Sequence, residues 1–297
     1  MGRLASIKKN MLTFLIMFQA IAWESGDTDE GFTITIYGRT QDGKTVSVST
    51  LFPPYFFVKL PPLETPESLA VQLGTQCKAI KAKSVWGFTN NELQTFVKCE
   101  FQTLTKMREC VWTCRRKKLK VFESAIDPLL RFMHRSGIQS VGWFEIQGDY
   151  ERDFSTMCSQ KYFVKDWHSL KPIDRDDIAP FKIMSIDIEC YSKDRTFPDA
   201  EKPHDTLFQI AMTTKTYGAG TEQKCLTLGT SSIGDTFASE KELLDAFTEY
   251  LHTVDPDVIT GWNIFGFDLE YIYKRMVLAK CDPATFCLGR RRDQVAE

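Results

Sequence analysis

No stretch of this 297-residue chain is apolar for long enough to cross a bilayer as a helix, which takes about 20 residues. It holds no internal repeat and no low-complexity tract, which excludes a solenoid and a disordered linker. It has no excess of either charge: 37 Lys and Arg face 39 Asp and Glu, a formal net charge of −2. That balance excludes a protein that coats polyanions through a basic surface, although a local groove can be basic on a neutral chain. The nine cysteines are odd in number and follow no framework spacing, which argues against a disulfide-stapled scaffold. Cys110 and Cys114 lie four apart in an apparently helical stretch, but a zinc site needs two more ligands and none lies nearby in sequence. Buried free thiols in a reducing compartment are the expectation.

What is present is an ordinary globular composition, 43% hydrophobic and 26% charged, long enough for two domains and a sizeable core. Lys8 and Lys9 precede the apolar run Met11 to Ala22, as in a signal peptide. The run is short, contains Gln19, and is followed by Trp23-Glu24 rather than a small-residue cleavage pattern, so a buried strand is expected. Met1-Gly2…Ser6 fits the loose myristoylation pattern, which is too short to carry weight.

Phe32 to Tyr37 and Lys44 to Ser49 alternate around Gln41-Asp42-Gly43, which predicts a hairpin. Pro53 to Val58 reads as a further strand, and Thr65-Pro66 opens a helix over 65–75. Residues 101–118 read as a helix ending in Arg115-Arg116-Lys117-Lys118. That run complements a helix C-terminus and is also a candidate for phosphate contact. A short helix over 126–134 and a strand over 138–146 follow. The polar, turn-rich stretch 165–181 places a boundary, with an α+β domain over 1–175 and a second domain over 176–297. The second domain reads as βββαβα: strands at 181–188, 206–213 and 223–228, a helix at 239–251, a strand at 257–260 and a helix at 266–278. Ser239 and Glu242 form a capping-box pattern.

On the first of those strands, alternation puts Asp187 and Glu189 on one face and Ile186 and Ile188 on the other. Two carboxylates side by side repel and are costly to desolvate unless a cation sits between them; magnesium suits such a site. Val258-Ile-Thr-Gly-Trp-Asn263-Ile-Phe-Gly-Phe267-Asp268 reads as a strand, a turn and a helix start. It can bring Asp268 to the same sheet end, 81 residues after Asp187. Three carboxylates are the minimum for two metals, the arrangement used in phosphodiester hydrolysis. Taken alone, Asp268 also reads as an acid at a helix N-terminus and Phe267 as core packing.

Ile186-Asp187-Ile188-Glu189-Cys190 resembles the first exonuclease motif of family B DNA polymerases, and Asn263-x-x-x-Phe267-Asp268 the second. Asp255 to Leu269 is similar to the corresponding stretch of delta-type and large-DNA-virus replicative enzymes. Phe122 to Met133, Gly142 to Ile146 and Phe52 to Val58 resemble their N-terminal domain. The resemblance implies a ribonuclease-H-like α/β exonuclease domain binding two Mg²⁺ (or Mn²⁺). Asp187 would bridge the ions, Glu189 would hold the one that activates water, and Asp268 the one beside the leaving oxygen. Asn263 and Phe267 would contact the frayed 3′ end of primer DNA. The family's third motif, Tyr-x-x-x-Asp, does not follow Asp268. Tyr162 to Asp166 has the spacing but precedes the first motif. The expectation is therefore an incomplete domain lacking its last strand and helix, with palm, fingers and thumb, the template contacts and any sliding-clamp contact elsewhere. It includes an inactive or weak nuclease in this chain alone. It also includes replication in a nucleus or at a viral replication site, with neither secretion nor membrane binding. Two other readings are a stand-alone ribonuclease-H-like nuclease, which needs a fourth carboxylate, and a non-catalytic DNA-binding or assembly module.

Overall fold

The computed structural model describes residues 16–291 except 85–86, 89, 148–150 and 153–155. The chain divides into two compact units. One gathers the chain up to Tyr37, Val48–Arg152 and Tyr162–Arg175. The other gathers Gly38–Ser47, Asp153–Lys161 and everything from Asp176 on.

In the first half of the chain the strands are β1 (Ile16–Thr28), β2 (Gly31–Arg39), β3 (Thr45–Leu51) and β4 (Tyr55–Lys59), followed by helix α1 (Pro66–Leu73). Next come β5 (Gln76–Lys83), β6 (Leu93–Glu100), helix α2 (Leu104–Arg116), β7 (Val121–Phe122) and helix α3 (Pro128–Ser136). Strands β8 (Trp143–Ile146), β9 (Glu151–Arg152), β10 (Gln160–Val164) and β11 (Leu170–Ile173) complete it. The apolar run near the N-terminus is a buried strand from Ile16 on, with Phe18 and Ala20 fully covered; Met11 to Leu15 lie outside the described residues. The hairpin predicted around Gln41-Asp42-Gly43 is present, closed by Thr40 N–H to Lys44 O at 2.9 Å.

Strands β4 to β7 with α1 and α2 make a βαββαβ unit with sheet order β5-β6-β4-β7, the ferredoxin-like arrangement. No sequence pattern marks β5 and β6 as strands. Polar and apolar residues are mixed along Gln76–Lys83, and only Cys99, Val97 and Phe96 of β6 are buried. An edge strand of this kind carries little periodic signal. The helix expected over 65–75 ends at Gly74 in the left-handed region (φ 61°), as a C-cap glycine does. Thr65 and Ser68 form a reciprocal capping box at its start. Helix α2 begins three residues later than read, because Thr103 accepts from Lys106 N–H and caps it. Asp27 of β1 adds a second cap, accepting from the Leu104 and Thr105 amides at 2.7 and 2.9 Å. Asp27→Ala is expected to cost about 1 kcal/mol, read as a lower urea midpoint with an unchanged slope.

The second half holds β12 (Lys182–Tyr191), β13 (Thr206–Thr216), β14 (Thr221–Leu228) and β15 (Asp235–Phe237), then α4 (Glu240–Val254), β16 (Val258–Thr260) and α5 (Asp268–Leu278). The sheet order is β15-β14-β13-β12-β16. Strands β12, β13 and β14 form an antiparallel meander, and β16 runs parallel to β12. The order is thus ββββαβα rather than βββαβα. The extra strand β15 is three residues long and joins β14 in parallel, too short to show a period. Helices α4 and α5 cover one face, with Leu243, Phe247, Ile272 and Met276 packed on Met184, Ile186, Ile210 and Met212. Ser239 caps α4 as expected, but the Glu242 carboxylate accepts from Ala238 N–H rather than from Ser239.

Candidate functional site

The site is built at one end of β12. Along this strand Met184, Ile186 and Ile188 are buried, whereas Ser185, Asp187 and Glu189 are exposed, because successive side chains alternate and the helices cover one face. Immediately after Glu189 the pairing with β13 shifts register, from Glu189↔Gln209 to Cys190↔Leu207. Such bulges re-aim side chains at strand ends.

Strand β16 pairs with β12 only as far as Ser185↔Thr260. The chain then turns at Gly261. A Cβ there would lie 2.5 Å from Ile186 O and 2.3 Å from Ile264 Cγ2, so only glycine lets the turn pass this close to β12. Gly261→Ala is expected to cost about 1–3 kcal/mol through overpacking; calorimetry gives the loss. Asn263 follows in the left-handed region (φ 54°), which asparagine tolerates better than most residues. Its carbonyl accepts from Gly266 and Phe267 N–H at 2.9 and 3.1 Å. The turn delivers Asp268 to the start of α5, where its Oδ1 accepts from the Ile188 amide at 3.2 Å. Asp268 therefore reaches the backbone between Asp187 and Glu189. It is 4% exposed. Burial pushes its carboxyl above the usual aspartate range, and the nearby Asp187 charge adds to that, against the lowering effect of its amide hydrogen bonds.

The donor set is entirely carboxylate oxygen, which fits a hard divalent cation such as magnesium or manganese. The three arms are spread: among the described residues no group of three or more His, Cys, Asp or Glu side chains is drawn closely enough to hold an ion.

The other expected contacts are distributed as follows. Phe267 is half-buried, edge-on to Phe197 at 5.3 Å and tilted against Tyr271 at 5.3 Å, so it packs as part of the core. The exposed rings of this turn are Trp262 (93% exposed) and Phe265 (84%). Neither is among the expected contacts; their sequence signal is two aromatics in a glycine-bounded turn with no periodic partner. Arg115, Arg116, Lys117 and Lys118 are all exposed, in the first unit. Lys117 is the C-cap residue of α2, and Arg116 lies over the Trp112 ring at 4.7 Å. Asp166 caps a 3-10 turn by accepting from His168 N–H. Cys110 and Cys114 are not alone: Cys77 and Cys99 pack in the same apolar core. Strand pairing rather than sequence spacing supplies these neighbours.

Residues 119–296 match the DNA polymerase family B exonuclease domain. A DNA polymerase of Paramecium bursaria Chlorella virus NY2A is 30% identical over 287 residues, covering 88% of this chain and 31% of the viral protein. The DNA polymerase delta catalytic subunit of Dictyostelium discoideum is 29% identical over 310 residues, 89% of this chain and 28% of that one. The chain thus spans about a third or less of the curated relatives it matches. The family B DNA polymerase of the archaeon Pyrobaculum calidifontis superposes with a TM-score of 0.66 at 18% identity, over 93% of this chain and 34% of that structure. That likeness speaks for the fold. Matched over more than half its length, and with both carboxylate motifs at one sheet end, the chain belongs to DNA polymerase family B and carries its exonuclease domain.

Proposed function

We propose that this chain is the N-terminal part of a replicative DNA-directed DNA polymerase and that its second unit removes the terminal nucleotide of a mispaired primer, 3′→5′. The observation that carries the reading is the hydrogen bond from Ile188 N–H to Asp268, which ties the second motif to the backbone between Asp187 and Glu189. Asp187, Glu189 and Asp268 would hold two Mg²⁺ or Mn²⁺ ions, with Asp187 shared. Ions held there supply Lewis acidity and lower the pKa of bound water. The chain's own part is to fix the carboxylates on a rigid strand and a helix start, and to present the strand end. Asn263 and Phe267 are the proposed contacts to the frayed 3′ end, Phe267 through its remaining exposed edge. Stacking there is sequence-tolerant, as removal of any base requires. Arg115 to Lys118 are candidate phosphate contacts. The remaining polymerase (palm, fingers, thumb) and a sliding clamp are the partners this reading implies, in a nucleus or at a viral replication site. Among the described residues no helix is long and apolar enough to cross a membrane.

The test is a single-stranded oligonucleotide with a fluorescent 5′ label, with and without Mg²⁺ or Mn²⁺. Shortening from the 3′ end, or binding of that end that strengthens with the cation, supports the reading. Asp187→Ala is expected to reduce either by at least about a hundredfold, some 2.7 kcal/mol. DNA affinity unchanged by EDTA and by Asp187→Ala would instead make this chain a non-catalytic binding module.

A further inference from the structure

Four of the nine cysteines meet in the core of the βαββαβ unit. Cys77 and Cys99 come from the neighbouring strands β5 and β6, and Cys110 and Cys114 from α2. Cys77 and Cys99 are directly opposed in the antiparallel register. Their Sγ atoms lie 3.4 Å apart. Opposed residues in antiparallel strands have Cα atoms about 4.5 or 5.5 Å apart, and both values fall in the range a disulfide accepts. The sulfurs need to close by about 1.4 Å to reach the bonded distance of about 2.0 Å, a side-chain adjustment rather than a backbone one. Cys110 and Cys114 are placed differently: side chains four apart on a helix have Cβ atoms about 5–6 Å apart, beyond the about 3.5–4.5 Å of a disulfide. Zinc held by all four thiols is the competing outcome, which the experiment below separates.

We propose that Cys77 and Cys99 are a thiol–disulfide modification site, oxidised to a cross-strand disulfide by a low-molecular-weight disulfide. Cys77 is half-buried and Cys99 fully buried, so Cys77 attacks and Cys99 resolves. The Cys77 thiolate forms a bond to one sulfur of the small disulfide as the old S–S bond breaks. One small thiolate leaves and takes up the proton that Cys77 gave up. Cys99, deprotonated in turn, attacks the Cys77 sulfur and expels the second small thiol. Two protein thiols are oxidised by two electrons, and one small disulfide becomes two thiols. Burial holds both cysteine thiols above their ordinary pKa, which slows the exchange because the thiolate is the attacking form. The product staples β5, the sheet's edge strand, to β6 and closes the loop between residues 77 and 99.

The full chain, fully reduced, is equilibrated with glutathione disulfide and glutathione at graded ratios. It is then alkylated, mapped by peptide mass spectrometry and melted. The expected result is a Cys77–Cys99 linked peptide, loss of two of the nine alkylatable thiols and a Tm rise of about 5–10 °C. The linked peptide survives in Cys110→Ala/Cys114→Ala and vanishes in Cys77→Ser. The wild-type map depends on no variant's folding. A Cys110–Cys114 link, a lasting glutathione adduct on Cys77, no thiol loss at any ratio, or stoichiometric zinc shielding all four thiols would each overturn the proposal.

Discussion

Asp257→Ala is expected to destabilise the second unit by about 3–5 kcal/mol, the usual cost of breaking a buried ion pair from one side. The Asp257 side chain is wholly buried between two arginines. Arg39 Nε donates to Oδ2 at 2.7 Å and Arg290 Nη2 to Oδ1 at 2.8 Å. The same carboxylate accepts from Lys182 N–H at 2.8 Å, while Asp257 N–H donates to Lys182 O at 2.8 Å. It therefore ties the first residue of β12 to the entry of β16, the two strands that lead to the carboxylate site. Alanine would leave the Arg39 guanidinium, 4% exposed, without its carboxylate, and the Arg290 guanidinium, 11% exposed, with one carboxylate instead of two. Their other bonds go to neutral carbonyls (Gly43, Asp255, Pro256) or to the partly exposed Asp255 carboxylate. A Tm drop on the order of 10 °C is expected. Asp257→Ala/Arg39→Met is expected to lose less than the sum of the two single variants, since one unpaired charge has gone. A melting point within a degree of the wild type for Asp257→Ala would show that the network does not hold the strands.

This network also shows where sequence reading stops. The motifs themselves were legible, because each rests on local pattern: Asp187 and Glu189 on strand alternation, Asp268 on the passage from strand to helix across Gly261. The α4 cap was legible from Ser239 for the same reason, whereas the Glu242 carboxylate turned to the Ala238 amide. Arg39 was not, because it lies 218 residues before Asp257, on the far part of a hairpin that clusters with the second unit. Strands β5, β6 and β15 escaped for a different reason. Their burial is one-sided or their length too short, and pairing with neighbours rather than intrinsic periodicity makes them strands. The thiol cluster combines both difficulties, since Cys77 and Cys99 meet only through the register of two strands that leave little trace. At the site, Phe267 was chosen for its motif position, yet it spends its ring on Phe197 and Tyr271. Exposure, which falls on Trp262 and Phe265, is decided by packing that a single sequence does not display.

Mg²⁺ or Mn²⁺ is expected to stabilise the wild-type chain, and Asp187→Asn is expected to abolish that gain while raising the stability of the metal-free protein. Without a cation, burial first and the Asp187 charge beside it hold the folded-state pKa of Asp268 above the ordinary aspartate value. The sign follows from linkage. A group with a raised folded pKa opposes folding when ionised, so its cost is full above the folded pKa. The cost is relieved as pH falls from the folded pKa towards the unfolded value, near 3.9. Over that window the metal-free wild type should lose less stability on acidification than Asp268→Asn, which has no proton to take up. Asp187→Asn removes one contributor to the shift and should narrow the window. A cation that binds only the folded site adds about 2.7 kcal/mol at a hundred times its dissociation constant. Its charge then offsets the repulsion that the aspartates otherwise bear. Thermal melts of wild type, Asp187→Asn and Asp268→Asn in EDTA and in MgCl₂, from pH 4 to 7.5, separate the two effects. A wild type whose Tm ignores both ions, beside an Asp187→Asn variant no more stable in EDTA, would remove the physical basis for placing a metal at this sheet end.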